Sequence, residues 1–62
     1  MKAIVTLPDG KKVEHKSDGI LVLRIEKDFL IVGRLTGKTI EVIERYQPGR
    51  WSKAIVRGRR GT

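Results

Sequence analysis

A chain of 62 residues with no cysteine and one histidine has no disulfide, no thiolate metal site and too few imidazoles to hold zinc. No apolar run reaches the roughly 18 residues that cross a bilayer, and the N-terminus enters an alternating segment without a signal-peptide pattern, so an intracellular protein with no membrane partner is expected. The formal net charge of +7 then points to an acidic partner, and one small domain is expected, burying only about 60% of its unfolded surface.

Asparagine is absent and glutamine and methionine occur once each, while Lys, Arg, Glu, Ile and Val are plentiful. Depletion of thermolabile residues with enrichment in ionisable ones is the trend of proteins from hot environments, and a prokaryotic cytoplasm is the expected compartment.

Strand signals dominate, and no helix is predicted. Lys2 to Leu7 alternates Ala3, Val5 and Leu7 against Lys2, Ile4 and Thr6, and Pro8-Asp9-Gly10 supplies a turn. Lys11 to Lys16 sets Val13 and His15 against Lys12, Glu14 and Lys16, the pattern of a half-exposed strand, and Ser17-Asp18-Gly19 closes it. Ile20 to Glu26 and Phe29 to Leu35 are the most apolar segments and the expected central strands, with Leu21, Leu23 and Ile25 facing the core. From the second, either Leu30 and Val32 or Phe29 and Ile31 face inward, depending on register, with Phe29 expected in the core. Gly33 marks a bulge or bend. Thr36-Gly37 leads into Lys38 to Glu44, Pro48-Gly49 predicts a type II turn, and Trp51 to Arg57 is a last strand.

Lys-Ala-Ile-Val occurs at Lys2 to Val5 and again at Lys53 to Val56, which suggests that the terminal strands are neighbours with the same in-out demands. The fold class is therefore all-β, a small five- or six-stranded antiparallel barrel of SH3-like or OB-like form, because closure hides strand edges. Residues 1–57 are the domain and 58–62 a flexible basic tail.

No enzyme signature is found. Gly33 to Thr39 resembles a phosphate-binding loop, but three residues rather than four separate its glycines and a strand rather than a helix follows. His15 lacks a partner constellation for catalysis, and Glu14, Glu26, Glu41 and Glu44 suit cross-strand ion pairs. Neither a cofactor nor a metal is expected.

The charge is concentrated at one end. Residues 1–44 hold eight Lys and Arg against seven Asp and Glu, while the last eighteen add Arg45, Arg50, Lys53, Arg57, Arg59 and Arg60 without one carboxylate. Arginine presents a planar fork to phosphate and stacks on bases, and Tyr46 and Trp51 lie among these cations. Trp51 is either the largest block of the core or a stacking platform, and Tyr46 stands in the same position. Arg24 and Arg34 extend the patch if their face is the exposed one.

Size, basicity, strand content and a tryptophan among cations together resemble the small chromatin proteins of crenarchaea. That resemblance implies an archaeal source and a sheet face that lies against the DNA minor groove, with Trp51, Arg50, Lys53 and Arg57 as the residues that match by type. The chain departs from them in ending on an arginine-rich tail rather than a helix. The function expected is non-catalytic, nucleoid-associated binding of DNA, duplex or single-stranded, with low sequence specificity, by a monomer or weak homodimer. Six phosphate contacts on duplex DNA correspond to a log-log salt slope of about −5. The alternatives are an RNA-binding or ribosome-associated barrel and a viral or regulatory protein-interaction module that docks an acidic partner.

Overall fold

Among the described residues the alternating segments become six strands: β1 (Lys2–Thr6), β2 (Lys12–Lys16), β3 (Leu21–Glu26), β4 (Phe29–Thr36), β5 (Thr39–Tyr46) and β6 (Lys53–Arg57). The structure, a computed structural model, describes residues 1–58. Every ladder is antiparallel, and the strands sort into two three-stranded sheets, ordered β2-β1-β6 and β3-β4-β5. The two sheets do not form the closed barrel expected. Each has its own pair of edges, and the chain changes sheet between β2 and β3 and between β5 and β6.

Local chemistry explains the turns. Gly10 N–H donates to Leu7 O at 2.9 Å and Lys11 N–H to Asp9 Oδ1 at 3.0 Å, which closes the loop around Pro8 between β1 and β2. After β5, Arg50 N–H donates to Gln47 O at 2.9 Å, with proline second and Gly49 third at φ +82°, as a type II turn requires. The β3–β4 hairpin turns on two residues, Lys27 and Asp28, at φ +50° and +68°. That is the left-handed pair of a type I′ turn, a geometry that matches strand twist but strains side chains other than Asn or Gly.

The terminal strands are neighbours: β1 pairs with β6 in the register Lys2↔Arg57, Ala3↔Val56, Val5↔Ala54. The repeated tetrapeptide thus lies on adjacent antiparallel strands, with its Ala and Val positions facing inward on both. The core comprises Ala3, Val5, Leu21, Leu30 and Val32, with Leu7, Leu23, Tyr46, Trp51, Ala54 and Val56 packed around it.

Register settles the open choice on β4. Leu30 and Val32 are fully buried, so Phe29 and Ile31 project from the opposite, outward face of the sheet and are half-buried there. Phe29 is therefore not a core residue. β3 is an edge strand rather than a central one, and Ile25 near its end is 62% exposed although Leu21, on the same strand, is buried. The middle strands are β1 and β4. A bulge does occur beside Gly33: Val32 pairs with Glu44 and Gly33 with Val42, leaving Ile43 on β5 as the extra residue. Gly33 is needed for space, since a Cβ there would lie 2.6 Å from Ile40 Cγ2.

Candidate functional site

The two inner faces share one core, so the two outward faces point to opposite sides of a body 13 Å across its thinnest dimension. Cross-strand pairing gives the composition of each, because residues directly opposite one another share a face.

On β3-β4-β5 the outward rows read Arg24–Ile31–Arg45, Val22–Gly33–Val42 and Leu35–Ile40. Val42 is 53% exposed, Ile40 41% and Leu35 40%, an apolar surface flanked by guanidinium groups. The Arg45 guanidinium carbon stands 5.3 Å from the centroid of Phe29, a cation–π contact that holds the charge at the surface. Phe29, Ile31 and Arg45 line a shallow depression together with Glu26 and Lys27. Arg24 pairs with Glu26 at 2.7 Å, an exposed ion pair that a phosphate can displace at little expense.

On β2-β1-β6 the outward rows read Lys16–Lys2–Arg57, Glu14–Ile4–Ile55 and Lys12–Thr6–Lys53. Glu14 is the carboxylate of this face and lies 3.8 Å from Lys2 Nζ. This face is dominated by lysine, and Ile55, at the β6 end of its middle row, is 45% exposed.

The basic C-terminal segment is thus divided. Arg45 joins Arg24 on one face, while Lys53 and Arg57 lie on the other. Arg50 is in the turn after β5. Arg34 pairs with Glu41, packs within reach of Gly19, and lines a groove with Lys2, Lys16 and Arg57 at one end of the molecule. Arg59 and Arg60 lie outside the described residues.

Neither Tyr46 nor Trp51 joins an outward face. Tyr46 sits on the inner row with Leu30, and its hydroxyl shares a 2.8 Å hydrogen bond with His15 Nε2, so the contact joins β5 to β2 across the two sheets. The rings meet edge to face with centroids 6.1 Å apart. Burial, and secondarily the charge of Glu44, pushes the Tyr46 phenol above its ordinary value of 10.0. Trp51 packs half-buried against the core and donates its indole N–H to Asp28 O at 3.1 Å, bracing the strained β3–β4 turn.

Two groups were missed from the sequence. Lys2, Lys12 and Lys16 complete the lysine face; their alternation was visible, but only the β1–β2 and β1–β6 ladders bring them beside Lys53 and Arg57. Val22, Leu35, Ile40 and Val42 carried no site reading, and Ile31 was one of two choices for the inward face of its strand; cross-strand pairing sets all five on the outward side of their sheet. Among the described residues no group of three or more His, Asp or Glu side chains is placed to hold a metal ion. Compared with known proteins, the chain matches no family model, no curated protein and no solved structure.

Proposed function

We propose that this is a non-catalytic protein that binds DNA with low sequence specificity, in a chromatin or architectural role. The observation that carries the reading is the row Arg24–Ile31–Arg45 beside exposed Val42, Ile40 and Leu35. Apolar side chains set among arginines are how minor-groove proteins combine phosphate contact with wedging at base steps, and scattered solubilising charge would not need them. The interface proposed is this sheet face, with Arg24 and Arg45 on phosphates and Arg50 and the tail arginines as further contacts. We read the β1–β2 hairpin packed over the β3-β4-β5 meander as SH3-like or OB-like, in keeping with the resemblance to small crenarchaeal chromatin proteins.

The test is fluorescence anisotropy of a labelled duplex across salt concentrations, with the Arg24→Gln/Arg45→Gln variant beside the parent chain. Removing two phosphate contacts lowers the magnitude of the log-log salt slope by about 1.8. Absence of binding at moderate salt, or a variant with unchanged slope and affinity, defeats the proposal. Competition by matched RNA separates the RNA-binding alternative. A second reading, a protein-interaction module, is favoured by one observation: β5 is an edge strand of eight residues, seven of them exposed, and could accept a partner's strand.

A further inference from the structure

The lysine face of β2-β1-β6 has no role in the interface just described, and its position decides what it can do. It carries Lys2, Lys12, Lys16, Lys53 and Arg57 against Glu14. The two sheets enclose one core between them, and sheets stacked face to face stand about 10 Å apart, with Lys12 and Lys53 on the outward row of β2-β1-β6. Their charges therefore stand beyond the roughly 8–10 Å over which charge acts in physiological salt from any duplex lying on β3-β4-β5. They contribute little to that binding event. A single duplex does not reach both faces either, because its persistence length of about 50 nm resists curling around so small a body.

The spacing of the cations suits a second duplex. The row Lys16–Lys2–Arg57 and the row holding Lys12 and Lys53 are four residues apart along the strands, about 13 Å at ~3.3 Å per residue. Two lines of cations at that separation match phosphate strands flanking a groove about 12 Å wide. Between them lies the Ile4–Ile55 row, with a single carboxylate at its end. That carboxylate is in an exposed pair at 3.8 Å and is displaced with little loss.

We propose that the protein bridges two DNA duplexes, one on the apolar and arginine face of β3-β4-β5 and one on the lysine face of β2-β1-β6. The inference rests on the DNA-binding reading and adds a second, independent surface. The two surfaces differ in kind: the first makes apolar contact with a groove, while the second is almost wholly electrostatic. Bridging is therefore the more salt-sensitive of the two events. It disappears at salt concentrations that leave the first duplex bound.

The experiment is capture of a free fluorescent duplex by a bead-bound duplex, over a range of protein-to-DNA ratios, beside anisotropy with one duplex alone. The parent chain is compared with Lys12→Gln/Lys16→Gln/Lys53→Gln, whose three side chains are exposed and outward, and thermal melting checks that the variant is folded. Expected is capture by the parent chain and at least tenfold less by the variant, with single-duplex affinity kept within about threefold. If the parent chain binds no duplex, the DNA-binding reading itself fails. If it binds one duplex and captures no second at any ratio, that reading stands and bridging is overturned, leaving the lysine face to another acidic partner. Capture that survives the three substitutions also overturns the proposal, since bridging through a protein dimer would survive them.

Discussion

Gly33→Ala is the most searching perturbation of the sheet that carries the proposed interface. Gly33 is buried in β4 opposite Val42, at the bulge. An added Cβ would stand 2.6 Å from Ile40 Cγ2 and 3.3 Å from Glu41 O, against the 3.5–4.0 Å at which carbon contacts are optimal. The first contact must open by about 1 Å, and the second is to backbone held in the β4–β5 ladder. Overpacking of this kind costs about 1–3 kcal/mol, and the reduced chain entropy of alanine offsets ~0.4–1 of it. A net loss of about 1–2 kcal/mol lowers the melting temperature of so small a domain by ~4–16 °C. Thermal unfolding followed by circular dichroism reads this directly. Because the closer contact is with one side chain, Ile40→Ala in the same chain relieves that part of the clash and leaves the backbone contact, and a double-mutant cycle should show favourable coupling of about 1 kcal/mol. A Gly33→Ala variant that melts at or above the parent temperature refutes the reasoning, as does an equal loss in the Ile40→Ala background.

Other consequences can be checked by the same melts. Leu30→Ala removes the largest fully buried side chain, a loss of about 2–5 kcal/mol from a domain whose total is on the order of 3–9, so the variant should be largely unfolded at 37 °C. Replacing Lys27-Asp28 by Asn-Gly relieves two left-handed residues in a type I′ turn and should raise the melting temperature by ~4–8 °C, about 1 kcal/mol; no rise would show that the turn is not strained. Tyr46 has a folded-state pKa above that of the unfolded chain, so the stability it contributes is present below pH 10 and is lost as pH rises through the folded value. Tyr46→Phe should therefore lose about 1 kcal/mol at neutral pH with the bond to His15, and should then show a shallower alkaline decline than the parent chain.

Strand positions and turn chemistry were legible in the sequence because both depend on neighbours. Alternation of Ala3, Val5 and Leu7 with Lys2, Ile4 and Thr6 marks a strand with one buried face, and Pro48-Gly49 specifies a type II turn by the φ values those two residues accept. The shared tetrapeptide even anticipated that β1 and β6 lie side by side. Phe29 and Ile25 went wrong for one reason: which side of an apolar strand is covered, and how far along, depends on the opposing sheet, and alternation alone is symmetric between the two faces.

The candidate site divides in the same way. Composition by itself determined that the chain is basic and that its surplus lies after residue 44, since those are sums along the chain. Tertiary structure decided that this surplus is not one patch. The chain leaves one sheet after Tyr46 and joins the other at Lys53, so Arg45 and Arg57 face opposite sides of the molecule, each beside partners from distant segments. Lys2 and Lys16 meet Arg57 only through the ladders of β1, and Trp51, next to Arg50 in sequence, turns inward to the core and to Asp28. Linear neighbours share a charge density, but a face belongs to residues that hydrogen-bonded strands bring into line, and that pairing is set by burial of Leu30, Val32 and Val5 in a common core.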